Sequence, residues 1–190
     1  QLGVSGVTSS STPVLVAGLS NVVSLSAGAN HNCVVLTDAT VKCWGFNGSG
    51  RLGDGTQTDR SSPVAVSGLS NVSAISLGGA HSCALLTDAT VKCWGNNQYG
   101  QLGDSTVIDR STPVAVSSLS QVVAIVTGHL HSCALLSDQS VKCWGYNEFG
   151  QLGLNNQVNQ STPITIVALS KVIKISAGGY ESCAITSDQS

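Results

Sequence analysis

The sequence is poor in charged and aromatic residues and contains no methionine. Asp, Glu, Lys and Arg make up only 9% of the 190 residues, and Phe, Trp and Tyr make up 4%. With a formal net charge of −2, the chain has neither the basic surface typical of nucleic-acid binding nor an acidic tail. Its apolar runs fall short of the roughly 18 residues that a membrane-spanning helix needs. We therefore expect no nucleic-acid partner and no membrane span.

Signatures of catalysis and of cofactor binding are missing too. No glycine-rich phosphate loop precedes a helical pattern, and the G-x-S-x-G motif of a nucleophilic serine does not occur. Paired carboxylates are scarce, because four of the acidic residues occupy one repeated turn: Asp38, Asp88, Asp138 and Asp188. The sequence predicts no enzyme activity, no cofactor and no metal site.

What the sequence does contain is a repeat of fifty residues. GLSNV at 18–22 returns unchanged at 68–72, and the tryptophans Trp44, Trp94 and Trp144 keep the same step. Self-similarity at a fixed period is the signature of a repeat architecture. We interpret 1–190 as a single repeat domain of about 3.8 repeats. The predicted units are 1–17 (partial), 18–67, 68–117, 118–167 and 168–190 (partial).

Each unit predicts four short β-strands. In the first full unit, VVSLSAG is a β-branched run ended by glycine, HNCVVL and VKCWG flank the turn TDAT, and SSPVAV follows a loop. Helical periodicity is absent. Four short strands in about 50 residues are typical of one propeller blade. The predicted fold class is therefore all-β, a β-propeller built from four-stranded blades.

One motif carries a resemblance to a known family. The string H-x-C-A-L-x-x-D-x-x-V-x-C-W-G-x-N-x-x-G-Q-L-G closely resembles the repeat of the regulator of chromosome condensation (RCC1) family, and the resemblance extends along the whole chain. It implies a β-propeller, usually of seven blades. Members of the family include a chromatin-bound nucleotide exchange factor, many secreted bacterial proteins and a secreted bacterial inhibitor of β-lactamases. Blades with two cysteines resemble the bacterial, extracellular branch.

The seven cysteines predict three disulfides within blades. With the hairpin turn centred at Asp38, Cys33 lies opposite Cys43, at a distance that a disulfide can span. Such bonds would place the protein in an oxidising compartment, namely the periplasm, the cell surface or the extracellular space. The predicted pairs are Cys33–Cys43, Cys83–Cys93 and Cys133–Cys143, and Cys183 has no partner in the sequence.

Metal binding is the alternative for these cysteines, because His31, His81 and His131 each precede one by two positions. Zinc sites usually pair cysteines two to four residues apart, whereas nine residues separate these. The fourth unit has Tyr180 and Glu181 near its cysteine and no histidine. We interpret the histidines as residues at the start of a strand that hydrogen-bond to the neighbouring blade.

Comparison of the units with one another separates fixed from variable positions. The fixed Gly, Asn, Leu and Trp residues suit turns, side-chain-to-backbone bonds and a core between blades. The variable positions form two loops per unit, which contain the aromatic residues outside the scaffold and predict a partner-binding surface. Packing between adjacent loops is the alternative. The candidate binding residues are Phe46, Asn96, Tyr99, His129, Tyr146, Glu148, Phe149 and Tyr180.

These observations support one leading hypothesis and two others. The first is a non-catalytic, secreted or surface-exposed propeller that binds a protein partner through its loop face. The second is a structural protein that self-associates into an extracellular polymer, and a remote third is guanine nucleotide exchange, for which no matching residues are found. N-glycans at Asn47, Asn71 or Asn159 are possible in a suitable host.

The ends of the sequence do not match the ends of a unit. The last unit stops before the strand that contains the partner of Cys183, and the first residue is not methionine. No signal-peptide pattern is present. The expectation is a segment of a longer array, or a unit that a neighbouring copy completes.

Overall fold

Strands account for nearly all of the regular structure in the computed structural model, which describes residues 1–6 and 9–188. The other regular element in these residues is a single 3-10 turn, Gly48–Gly50. The predicted all-β fold with four-stranded antiparallel blades is confirmed. The partial units 1–17 and 168–190 include positions 7, 8, 189 and 190, which lie outside the described residues. The boundaries between units stay a prediction.

Three four-stranded sheets and one two-stranded sheet follow one another, and strands that are neighbours in the chain are neighbours in each sheet. The first sheet contains β1 (Val22–Ala27), β2 (His31–Leu36), β3 (Val41–Gly45) and β4 (Arg60–Ala65). The second contains β5 (Val72–Leu77), β6 (His81–Leu86), β7 (Val91–Gly95) and β8 (Arg110–Ala115). The third contains β9 (Val122–Thr127), β10 (His131–Leu136), β11 (Val141–Gly145) and β12 (Gln160–Thr165). The last contains β13 (Val172–Ala177) and β14 (Ser182–Thr186).

The hairpin between the two central strands is fixed by its aspartate. Asp38 accepts hydrogen bonds at Oδ1 from the amide of Thr40 at 3.0 Å and from its hydroxyl at 2.7 Å. These bonds hold the pKa of Asp38 below its usual value. The turn sets the register, so that Cys33 pairs with Cys43 at a Cα–Cα distance of 4.1 Å. All three predicted disulfides are present, and Cys183 is an exposed thiol.

The hydrophobic core lies between adjacent sheets. Cys33, Val35 and Leu52 from the first unit pack in one cluster with Leu86 and Trp94 from the second. A second cluster joins the second and third units in the same way and includes the fully buried Trp144. Strand β6 is buried along its whole length, because both faces of its sheet are covered. This two-sided burial explains why the strand sequences are apolar with weak alternation.

Adjacent sheets approach closely where their first strands end. A Cβ atom on Gly78 would lie 2.4 Å from the carbonyl oxygen of Gly128 and 2.5 Å from Cε1 of His81. No side chain fits at this position, so glycine is required. The close approach allows backbone hydrogen bonds from one unit to the next, including Gly79 N to His129 O at 3.0 Å.

The histidines connect neighbouring units, as the sequence predicted. Nε2 of His31 lies 2.9 Å from the hydroxyl of Ser82 in the next unit, and that hydroxyl donates to the carbonyl of Arg51 at 2.9 Å. Since the hydroxyl has one proton, His31 must be the donor in the first bond. Trp94 Nε1 donates to the same carbonyl at 2.9 Å. We call this set the inter-blade network.

The same network recurs one step along the chain. Nε2 of His81 lies 2.9 Å from Ser132, and the hydroxyl of Ser132 and Nε1 of Trp144 both donate to the carbonyl of Gln101. Burial, followed by neighbouring positive charge, lowers the pKa of His31 and His81 to about 3. Burial also lowers the pKa of His131 to about 4. These rings are therefore neutral in the folded protein at neutral pH.

We predict that the fold loses stability as the pH falls from 6.5 towards 4. The three histidines have an ordinary pKa of 6.5 and a lower one when folded, so the unfolded chain takes up protons first. Their contribution is fully present above pH 6.5 and declines by up to about 1.4 kcal/mol per pH unit for each histidine. Urea unfolding at pH 7.5, 6.0 and 5.0 measures the effect. A free energy of unfolding that is constant over this range would contradict it.

A second prediction concerns Ser82, whose side chain is fully buried. Ser82→Ala removes the acceptor of His31 and one donor to Arg51, so we expect a loss of roughly 1–3 kcal/mol in the free energy of unfolding. Ser67→Ala, at an exposed serine, is the matched control and should change stability by less than about 0.5 kcal/mol. Equal effects of the two variants in urea unfolding would show that the network contributes nothing.

A third prediction concerns the thiols. In protein produced under oxidising conditions and then denatured, an alkylating reagent should modify one cysteine without reduction and all seven after reduction. Intact mass spectrometry counts the added groups. Peptide mapping should place the first group on Cys183, and seven reactive thiols before reduction would contradict the disulfide assignment.

Candidate functional site

Five of the eight candidate binding residues lie together on the loop face. We call them the aromatic cluster, and they come from three successive units. Ring centroids are 4.7 Å apart for Tyr99 and Tyr146, 5.9 Å for Tyr146 and Phe149, and 5.6 Å for Phe149 and Tyr180. His129 lies 5.5 Å from Tyr180, edge to face. Such tilted contacts between rings are favourable, so the cluster is a continuous surface.

Two loops of each unit meet because the antiparallel register brings them to the same end of the sheet. The amide of Tyr146, just after β11, donates to the carbonyl of Leu130, just before β10, at 3.0 Å. Hydrogen bonds between units join the shorter loops, as in His129 N to Gly179 O at 2.8 Å. The variable positions of separate units are thereby held side by side.

Buried asparagines fix the longer loops. Asn147 accepts at Oδ1 from the amide of Leu152 at 2.9 Å, and its Nδ2 donates to the carbonyls of Asn156 and Val158. Gln151 Oε1 accepts from the amide of Phe149 at 3.1 Å. The aromatic residues therefore stand on backbone that side chains within the loop already hold in place. The sequence indicated the role of Asn147, because every complete unit has an asparagine at this position. It did not indicate the hydrogen bond from the Phe149 amide to Gln151.

Exposure differs sharply within the aromatic cluster. Tyr146 is only 9% exposed and forms the floor, while Phe149 is 69% exposed and Tyr180 is 49% exposed. Packing between loops explains the burial of Tyr146, and Tyr99, at the repeat position of Phe149, packs on Tyr146 of the following unit. Phe149 itself is mostly open to solvent among the described residues. Large exposed apolar side chains on rigid loops are typical of contact surfaces.

The charge around the aromatic cluster is negative. The Tyr146 hydroxyl donates to Oε2 of Glu148 at 3.0 Å. Burial, and then this bond with Glu148, raise the pKa of Tyr146. The four loops that carry the cluster, residues 96–101, 128–130, 146–151 and 178–181, contain no Lys or Arg. Their second glutamate, Glu181, stands at the repeat position of His131 and lines a cavity with Cys133 and Leu152.

The structure separates Phe46 and Asn96 from the aromatic cluster. The guanidinium carbon of Arg51 lies 4.8 Å from the ring centroid of Phe46, so a cation of its own loop stacks on this ring, and Phe46 is 43% exposed. None of the ring contacts of the aromatic cluster involves Phe46. Asn96 donates to Asp109 at 3.1 Å and accepts from Gln101 at 2.6 Å. Both side-chain bonds of Asn96 lie within the connection between β7 and β8, while its amide donates to the carbonyl of Ala80 at 2.9 Å.

One proposed glycosylation site is corrected by the structure. Asn47 is fully buried, and its amide donates to Asp54 at 3.1 Å and to the carbonyl of Thr58 at 3.0 Å. A glycan on this nitrogen is incompatible with those contacts. Asn71 is exposed and Asn159 is half-buried, so glycans at these two positions stay a prediction.

Within residues 1–6 and 9–188, no three His, Cys, Asp or Glu side chains come together as a metal site requires. The same part of the chain has no helix long and apolar enough to cross a membrane. The three buried histidines are committed to contacts between units. The arrangement on the loop face is suited to binding through rings and a carboxylate.

Comparison with known families agrees with the repeat. A profile described as the regulator of chromosome condensation (RCC1) repeat matches residues 39–85, 89–135 and 140–185. A second profile of the same description matches residues 22–51, 72–101 and 122–151. The first set of matches covers more than half of the 190 residues. No curated protein matches the chain at a significant level.

Solved structures show the same fold at low sequence identity. Prp20p from Saccharomyces cerevisiae aligns with a TM-score of 0.79 at 22% identity, over 88% of this chain and 44% of that chain. Human WBSCR16 aligns with a TM-score of 0.63 at 18% identity, over 83% and 56%. The ectodomain of the receptor kinase CR4 from Physcomitrella patens aligns with a TM-score of 0.58 at 24% identity, over 89% and 39%. The chain thus spans between 39% and 56% of the length of these structures.

Proposed function

This chain belongs to the RCC1 repeat family, and on that premise we propose that it is a non-catalytic module that binds a protein partner through the aromatic cluster. The observation that carries the proposal is the exposure of Phe149 on a loop held by the buried Asn147 and Gln151, with Tyr180 packed against its ring. A rigid aromatic surface loses little conformational entropy on binding, which favours affinity. Residues of this kind dominate the energy of protein interfaces.

The relatives support a binding role for the fold in general. Yeast Prp20 is described as having binding properties to Gsp1p and histones, and as bound to Kap60. Because fold alone does not determine function, our proposal depends on the residues of the loop face. The assembly of a polymer and nucleotide exchange stay predictions, since no contact of the described residues favours either one.

The absence of catalysis is part of the proposal. Histidine is the commonest general base near neutral pH, but three of the four histidines, His31, His81 and His131, are buried and bonded between units. Burial lowers the pKa of each well below its usual value. This use of these histidines is structural. The fourth, His129, packs against Tyr180 in the aromatic cluster.

We also propose that the protein works in an oxidising compartment, at the cell surface, outside the cell or in the periplasm. Three disulfides within blades support this location, because such bonds are rare in the reducing cytosol. If the protein is secreted, the exposed Asn71 is a position that could carry an N-glycan.

The chain supplies matched variants for a test of the binding surface. At the positions of Phe149 and Tyr180, other units carry Ser49 and Ala80, so Phe149→Ser and Tyr180→Ala substitute residues that this loop already accepts. Peptides selected from a random display library on the wild-type protein should lose at least tenfold in affinity for each variant, as for a hot-spot residue. Titration calorimetry measures the affinities.

The control is Phe46→Asn, which introduces the residue that the second unit carries at Asn96 and lies outside the aromatic cluster. This variant should bind the selected peptides like the wild type. Selected peptides that bind all the variants equally, or a selection that enriches none, would overturn the proposed function.

A further inference from the structure

We infer that the aromatic cluster receives an arginine side chain from a basic segment of the protein partner. The inference rests on the proposed function and adds the chemistry of the partner. Three observations support it: a guanidinium stacked on a ring in the first unit, a glutamine in place of that arginine at the aromatic cluster, and the charge of the surrounding loops.

The first unit shows how this loop accommodates a guanidinium. Arg51 stacks on Phe46, with 4.8 Å between its guanidinium carbon and the ring centroid. Its Nε donates to the carbonyl of Gly48, and its Nη1 donates to the carbonyl of Gly79, each at 3.0 Å. The ring covers one flat face of the cation, and the two carbonyls accept from two of its five N–H donors.

The third unit has the ring without the cation. Tyr146 stands at the repeat position of Phe46, and the position of Arg51 is occupied by Gln151. Tyr146 instead contacts other rings, and Phe149 and Tyr180 add aromatic surface that the first unit lacks. The chain therefore offers more aromatic surface here and supplies no guanidinium of its own.

The surrounding charge favours a cation from outside. The four loops of the aromatic cluster contain no Lys or Arg, and one carboxylate, that of Glu148, contacts its rings. Glu148 lies next to the floor of the cluster, because its carboxylate accepts the hydrogen bond of Tyr146. A guanidinium combines a planar face for the rings with paired donors for a carboxylate, whereas an ammonium offers only a point charge. We therefore expect arginine to bind better than lysine.

The test uses three short peptides that are acetylated and amidated: GRGRG, GKGKG and GQGQG. Each is titrated into the ¹⁵N-labelled protein, and amide chemical shifts are followed at low and high salt. GRGRG should shift the signals of residues 146–151 and 179–181, with an affinity at least fivefold above that of GKGKG. GQGQG should shift them little. Higher salt should weaken the binding of GRGRG.

Substitutions by residues that other units carry at the same repeat position identify the side chains that bind GRGRG. Glu148→Gln introduces the residue found at Gln98, and it should lower the affinity for GRGRG at least threefold. Phe149→Ser should lower it at least fivefold, while Phe46→Asn should leave it unchanged. Gln151→Arg, which introduces the residue found at Arg51, should weaken binding by placing a guanidinium of the chain on the cluster.

The outcomes distinguish this inference from the proposed function. Equal binding of GRGRG and GQGQG, or an unchanged affinity for GRGRG in Glu148→Gln, would overturn the inference. If library-selected peptides depend on Phe149 but contain no arginine, the inference fails and the proposed function stands. If neither the selected peptides nor GRGRG depend on the aromatic cluster, both fail.

Discussion

The packing of one unit on the next depends on a backbone carbonyl of the first unit that accepts hydrogen bonds from side chains of the second. The carbonyl of Arg51 accepts hydrogen bonds from Ser82 and from Trp94, and Ser82 in turn accepts from His31. All of these groups are buried, so each bond removed would leave a polar atom without water or a partner. The disulfides stiffen single sheets, but this inter-blade network fixes where one sheet stands against the next. Because the network fixes the sheets, it also fixes the relative positions of the loops on the loop face.

The strands and the disulfides were predictable because they depend on local sequence. An aspartate turn sets the hairpin register, and the register places Cys33 opposite Cys43. The role of the histidines followed from the same reasoning, since their position at the start of a strand faces the neighbouring unit. The partner, Ser82, could not be identified, because its contact with His31 joins residues that lie 51 positions apart.

The loop face was predicted less completely, and single residues explain the difference. Phe46 and Tyr146 occupy the same repeat position, yet one ring stacks with Arg51 and the other joins a cluster. A list of variable aromatic residues cannot make that distinction without the contacts. The sequon at Asn47 failed for a related reason, since a three-residue motif carries no information about burial. Its presence at the same place in every complete unit was the sign of a structural role.

The position of the core has a consequence for how the protein folds. Apolar clusters form from the side chains of two adjacent units, so a single sheet of this kind has no interior of its own. The free energy of folding in such an array is approximately a sum of terms for the single units and for the interfaces between neighbouring units. The interface between two adjacent sheets is then the cooperative element. A substitution in one loop changes the stability of the adjacent interfaces and has little effect on more distant ones.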